Sequence, residues 1–393
     1  MLPYGRQSIA EDDIEAVVEV LRSDWLTQGP AVERFEQELA AVCGARYAVA
    51  VANGTAALHL ACLAAGIQPG DVSLVPSITF VASANCAVYC GARPVLVDIN
   101  PETLTIDADA VDSACQTQTV RAIVPVHFGG LPCDVERISA SAQRVGAVVI
   151  EDACHALGAR WRDSGGYWHR VGDCSHSDMA CFSFHPVKHI TTGEGGAILT
   201  NSAQLCERLR LLRTHGITRA SECLTRRDGP WYYEMQALGF NYRISDLQCA
   251  LGYAQLRKLD RWVARRRQIA ASYRQAFLQV PYVRLQTESE GRQSSYHLFV
   301  IQVPRREEFF RRLRENGIGA QVHYIPIHLQ PYYHEHFGYS EGDLPHSEAY
   351  YHRAISLPMF PAMSDGDVGT VIDVVLGIGR EMGLEQTIGL AQG

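Results

Sequence analysis

A chain of 393 residues, 47% of them hydrophobic, is long enough to bury a large core and to divide into about two domains. Its formal net charge of -8 argues against nucleic acid or an anionic membrane as the main partner, while leaving room for a small anionic ligand on a local patch. Residues 1–12 carry Arg6, Glu11 and Asp12, unlike a secretory leader, and no apolar run reaches the roughly 18 residues of a membrane span, so a cytoplasmic protein is expected.

Ile14, Val17, Val18 and Leu21 recur at helical spacing, which predicts an amphipathic helix over residues 11–22. Residues 24–30 break it, and a second helix runs to about residue 42. After the apolar stretch 47–52, short Val- and Ile-rich runs at 73–75, 94–97, 122–126 and 147–150 read as strands. Helical stretches at 82–90, 108–115 and 135–145 separate them. Such alternation implies βαβ units and a mostly parallel sheet. Residues 179–183 and 196–200 read as two further strands.

Residues 245–278 read as one long helical stretch that joins a large domain, about 1–255, to a smaller one, about 256–393. In the smaller unit, strands at 295–303 and 320–324, with helices at 307–316 and 365–382, give a compact α+β arrangement. The twelve cysteines include no CxxC pair, so a zinc ribbon is not expected; reduced, mostly buried thiols are. His334-Glu335-His336 imitates a metal motif but reads as a solvated cluster, and no metal is expected.

In a parallel α/β sheet, ligands bind at the carboxyl ends of the strands, and three features fall there. Asn53-Gly54-Thr55-Ala56 follows an apolar run and opens a helix, which suits a phosphate or is simply a capped helix. Asp152 ends the run 147–150; a carboxylate there needs a cation, either an arginine or a protonated heterocycle. His155, three residues on, faces the same place if a turn begins there; otherwise it is structural. Lys188 follows the strand 179–183 in a turn made by Pro186, just before Gly193-Glu194-Gly195-Gly196. It is either an exposed turn lysine or a desolvated amine able to form a Schiff base. Together the three supply what pyridoxal 5'-phosphate (PLP) needs.

The segments NGTAALHL, PSITFVASANCA, EDACHALGA, FSFHPVKHITTGEGGA and GFNYRISDLQCALG run in order over nearly the whole chain. They resemble the DegT/DnrJ/EryC1/StrS family of sugar-nucleotide aminotransferases. The resemblance implies the α/β fold type I of PLP-dependent aminotransferases, with a large, mostly parallel-sheet domain and a smaller C-terminal α+β domain. It implies that Lys188 carries the cofactor and that Asp152 pairs with its pyridine nitrogen. His155 would lie near the 3-oxygen and Phe80 would stack on the ring. Gly54, Thr55, Ala56 and Ser183 would hold the phosphate, with Asn241 reaching it from the other subunit of a homodimer.

By position, substrate contacts are expected from Tyr4, Asp24, Trp25, Leu26, Thr27, His323, Tyr324, Ile325 and Pro326, together with Thr55, Ser183 and Asn241. Trp25 follows a helix, where a Trp is more often core. Arg219, Arg226 and Arg227 are candidates for a diphosphate, or simply a solvated loop. The openings PYGRQSI and SDWLTQGP resemble most the branch making UDP-4-amino-4,6-dideoxy-N-acetyl-beta-L-altrosamine, a pseudaminic acid precursor. That implies transfer from L-glutamate to C4 of a UDP-linked 4-keto-6-deoxy-N-acetylhexosamine. Alternatives are a bacillosamine- or perosamine-type aminotransferase and a non-catalytic regulatory member. A dehydratase would carry His where this chain has Lys188.

Overall fold

Seven short strands build the central sheet of the computed structural model, which describes residues 1–385. They are Tyr47–Val51 (β1), Val72–Pro76 (β2), Arg93–Val97 (β3), Val120–Ile123 (β4), Val148–Asp152 (β5), Met179–Ser183 (β6) and Gly196–Thr200 (β7). Their spatial order is β1-β7-β6-β5-β4-β2-β3. The pairings from β3 through to β6 are parallel, whereas β7 runs antiparallel to both β1 and β6. The sheet is covered on both faces, which is why its strands read as nearly continuous apolar runs. In β1, Ala48 and Ala50 pack into the core on one face with Phe35 and Leu39, while Val49 and Val51 pack on the other with Leu58 and Leu60.

A second, antiparallel sheet is formed by Arg284–Leu285, Phe299–Gln302 and Ala354–Leu357. Helices Arg306–Glu315 and Asp365–Glu381 cover it, and its own core gathers Tyr273, Phe277, Phe309, Leu313 and Val371. The first residues of the chain are tied to this unit: Leu2 N donates to Gly317 O at 2.8 Å, and Met359 N to Tyr4 O at 2.9 Å.

Three expected elements differ. The stretch 245–278 is two helices, Asp246–Leu256 and Leu259–Phe277. Ser245 caps the first, and the chain turns at Lys258, whose ammonium pairs with Asp12 at 2.6 Å and Asp13 at 2.8 Å. Residues 320–324 are not a strand: beyond one bridge between Gln321 and Ser356, the chain turns inward. The strand that completes this sheet is Ala354–Leu357, and the expected strand 295–303 begins only at Phe299. Trp25 is 55% exposed rather than core.

Ten of the twelve cysteines are buried and all are free, so they serve as small core residues. His334 and His336 lie exposed on the helix Pro331–Phe337. Among the described residues no helix is long and apolar enough to cross a membrane, and no group of three or more His, Cys, Asp or Glu is placed to hold a metal ion.

Candidate active site

A cavity of ≈ 500 Å³ opens where β1, β5 and β6 end. Beyond β1, Asn53 caps the helix Gly54–Ala64: its Oδ1 accepts from Ala56 N at 2.8 Å and its carbonyl from Ala57 N at 3.1 Å. The N–H groups of Gly54 and Thr55 precede any intrahelical acceptor and line the cavity beside Ser183. That is an anion cradle. Ala56 is not part of it, because its N–H is committed to the cap and it lies buried outside the cavity wall. Glycine at 54 is a packing requirement, since a Cβ there would stand 2.9 Å from Ser183 Cβ.

Asp152 closes β5 and is 5% exposed. Ser83 Oγ donates to its Oδ2 at 2.6 Å, and Cys154 N donates to its Oδ1 at 3.1 Å. Thr79 Oγ1 stands 2.7 Å from Ser83 Oγ. No arginine or lysine among the described residues forms an ion pair with this carboxylate. A buried carboxylate held only by neutral donors calls for a cation in the adjoining space. Ser83→Ala removes the shortest of these bonds and is expected to lower kcat roughly 10- to 100-fold, the size of a hydrogen bond to a charged group. Steady-state kinetics checks this, with circular dichroism of bound PLP showing whether the cofactor is retained.

The chain turns directly after β5, with Ala156 N donating to Ala153 O at 2.8 Å, and this brings His155 into the cavity wall. Its Nε2 lies 3.1 Å from Tyr324 OH, while its Nδ1 is buried without a partner. Burial first, and then the nearby charge of Lys188, holds the imidazole well below its ordinary pKa, so it is neutral.

Lys188 sits in the turn that Pro186 makes after β6, its N–H donating to His185 O at 2.9 Å. The side chain is half-buried and faces the cavity. Among the described residues none accepts a hydrogen bond from its Nζ. Burial is the largest influence on this amine and lowers its pKa; Cys154 and Asp152 oppose that, and Arg266 adds to it. A lowered pKa leaves more of the neutral, nucleophilic form at neutral pH. The chain has only one other lysine, Lys258, and that one is committed to Asp12 and Asp13.

Phe80, 56% exposed, stands at the rim with its ring 6.1 Å from that of Tyr324. Tyr4 and His323 lie together there, their rings 5.4 Å apart. The cavity thus collects Tyr4, Gly54, Thr55, Phe80, Asp152, His155, Ser183, Lys188, His323 and Tyr324. It does not collect Asp24, Trp25, Leu26, Thr27 or Asn241, all exposed elsewhere on the same chain, nor exposed Ile325 and buried Pro326. Arg219, Arg226 and Arg227 are exposed in a loop outside it. Thr79, Ser83, Cys154 and His297 belong to the site without having been singled out in the sequence. Thr79 and Ser83 sit in the motif PSITFVASANCA; His297 carries no local signal.

An anion cradle, a buried carboxylate awaiting a cation and a depressed lysine amine match the phosphate, the pyridinium and the aldehyde of PLP. Residues 7–376 match the DegT/DnrJ/EryC1/StrS aminotransferase family. The chain belongs to that family. It is a PLP-dependent sugar aminotransferase. It is 42% identical over 381 residues to the spore coat polysaccharide biosynthesis protein SpsC of Bacillus subtilis, covering 95% of this chain and 96% of SpsC. The sugar aminotransferase Spr1654 of Streptococcus pneumoniae, solved in its PMP form, superposes with a TM-score of 0.88 at 27% identity over 97% of this chain and 100% of that one. PseC of Helicobacter pylori, an aminotransferase involved in the biosynthesis of pseudoaminic acid, gives a TM-score of 0.88 at 29% identity over 97% and 99% of the two chains.

Proposed function

We propose that this aminotransferase moves the amino group of L-glutamate to C4 of a UDP-linked 4-keto-6-deoxy-N-acetylhexosamine, giving UDP-4-amino-4,6-dideoxy-N-acetyl-beta-L-altrosamine. The observation that supports this choice of sugar is the likeness to PseC over 97% of the chain. The higher identity to SpsC favours a second reading, a different keto sugar destined for a polysaccharide.

In the proposed reaction Lys188 holds PLP, Asp152 faces the pyridine nitrogen, and Gly54, Thr55 and Ser183 take the phosphate. Phe80 and His155, both in the cavity wall, would help hold its ring. Bound PLP supplies an electron sink that lets the Cα–H bond of the amino donor break. The neutral amine of Lys188 would take that proton from Cα on its Nζ and hold it inside the cavity for return to the reacting group. Ser83 and Cys154 N keep the Asp152 carboxylate from turning away, so the charge it faces stays positive. Tyr4, His323 and Tyr324 at the rim meet the sugar. The protein works in the cytoplasm as a homodimer, in which Asn241 reaches the second copy's cavity and residues 24–27 approach its substrate.

Offering the purified enzyme UDP-, dTDP- and GDP-linked keto sugars with L-glutamate, with products read by mass spectrometry and NMR, tests the assignment. The expected result is amination of the UDP-linked 4-keto-6-deoxy sugar in preference to the others. No turnover of that sugar, with turnover of another, replaces it with the second reading.

A further inference from the structure

The chain between Gln321 and Ile327 carries His323 and Tyr324 to the rim of the cavity, yet no strand pairs with residues 322–326. Side chains hold this segment at both ends instead. At one end, Tyr350 OH donates to His323 O at 2.5 Å, and His323 Nδ1 lies 2.8 Å from Ser356 Oγ. At the other, Ile327 N donates to Ser77 O at 2.9 Å, directly after β2. His328 Nδ1 lies 2.7 Å from Ser77 Oγ, and its Nε2 donates to Glu348 Oε1 at 2.8 Å. Glu348 and Tyr350 share the helix Pro345–Tyr351, so one short helix serves both ends. That helix is itself seated on the large sheet. Asp98, directly after β3, accepts from His346 N at 2.9 Å, Ser347 N at 2.8 Å and Ser347 Oγ at 2.6 Å. Ser77, His328 and Glu348 in a row imitate a hydrolytic triad. Ser77 and His328 are both 0% exposed and neither lines the cavity, so no substrate reaches that hydroxyl. A buried imidazole bonded at both nitrogens fixes direction as well as distance, which is what a segment without strand partners needs.

We propose that His328 is a positioning residue for the sugar step: pinned between Ser77 and Glu348, it holds residues 323–328 so that His323 and Tyr324 meet the sugar at the rim. This rests on the proposed contact of those rim residues with the sugar.

Tyr324 shows what the pin governs. Its OH lies 3.1 Å from His155 Nε2, and its ring stands 6.4 Å from that of Phe128 and 6.1 Å from that of Phe80. A shift of the segment therefore moves one whole edge of the cavity mouth. Asp152 and Lys188 are held by other contacts, from Ser83 and Cys154 N in one case and by the turn to His185 O in the other. L-Glutamate is small enough to react at that depth, whereas a sugar nucleotide extends past the rim. Loss of the pin thus costs the sugar step more than the glutamate step.

The test separates the two half-reactions in the wild-type holoenzyme and in His328→Leu, His328→Gln and Glu348→Gln. One is 2-oxoglutarate release in a single turnover with L-glutamate. The other is amination of the UDP-linked 4-keto-6-deoxy-N-acetylhexosamine by enzyme already charged with the amino group. Amide hydrogen exchange over residues 320–330, with and without PLP, reads the segment apart from activity. His328→Leu keeps bulk but neither bond. It is expected to lower kcat/KM for the sugar roughly 10- to 100-fold, the scale of a misplacement of about 1 Å, with a smaller loss in the glutamate step and faster exchange. His328→Gln can still accept from Ser77 and donate to Glu348, and Glu348→Gln keeps an acceptor for His328, so both are expected to recover most of the sugar step. Where His328→Leu does not fold, Ser77→Ala, which deletes one hydroxyl, carries the comparison with the same direction expected. Equal losses in the two half-reactions, no loss in either, Gln variants as impaired as Leu, or unchanged exchange overturns the proposal. If the wild type aminates a different keto sugar, that sugar takes its place in the comparison. If it releases 2-oxoglutarate but aminates no UDP-, dTDP- or GDP-linked keto sugar, the reading of the rim fails and the proposal with it.

Discussion

Lys188→Ala is expected to lose at least about 10⁴-fold in turnover, the upper end of what a positioned general base contributes, because in the proposed reaction the same side chain would also anchor the cofactor. The argument is geometric. The amine faces the cavity that holds the anion cradle and the Asp152 carboxylate, and none of the described residues accepts a hydrogen bond from it. The fold is expected to survive, since the side chain is half-buried and makes no bond that a truncation would break. Single-turnover measurement of 2-oxoglutarate release from glutamate checks the loss, with circular dichroism confirming the native state. Retention of more than a few per cent of activity would mean that another group moves the proton, and no other lysine is placed to do so: Lys258, in the turn between two helices, is held by Asp12 and Asp13.

The second large effect is at Asp152. Asp152→Asn keeps the volume but removes the negative charge from a site that is 5% exposed, where electrostatic effects are little screened. With a neutral amide facing it, the pyridine nitrogen loses the partner that keeps it protonated. The expected loss is roughly 10²–10³-fold in kcat, the scale on which a preorganised electrostatic group acts. KM for glutamate should change much less, because in the proposed reaction Asp152 would face the cofactor and not the donor. Asp152→Glu keeps the charge but displaces it from Ser83 Oγ and Cys154 N, so partial recovery is expected. Equal activity in the Asn variant and the wild type would contradict a role for the carboxylate on the ring nitrogen.

The central sheet was legible because its strands are covered on both faces. Runs such as Tyr47–Val51 and Met179–Ser183 stand out as apolar whatever their neighbours do. The C-terminal unit was harder. Residues 320–324 have strand-like composition, but the chain there bends toward the cavity to present His323 and Tyr324, and the strand Ala354–Leu357 is too short to announce itself. Helical periodicity over 245–278 hid the turn at Lys258, since ion pairing to Asp12 and Asp13 is a long-range contact that no local pattern encodes.

At the site, Lys188, Asp152 and the Gly54–Thr55 cradle could be read because each follows a strand end. Ala56 could not be separated from that cradle without seeing the Asn53 cap. Ser83 was hidden because its relevance lies in a bond to a residue 69 positions away. His297 was hidden for the same reason: what matters about it is the ring of His155 that it meets across the fold. Asn241 and residues 24–27 lie outside the cavity of their own chain.

The most direct measurement is borohydride reduction of the holoenzyme followed by peptide mass mapping. With two lysines in the chain, the result is unambiguous. The phosphopyridoxyl mass is predicted on the peptide containing Lys188, with the peptide containing Lys258 unmodified. Label on Lys258, or on neither lysine in a protein that retains PLP, would contradict the assignment on which the account of this aminotransferase rests.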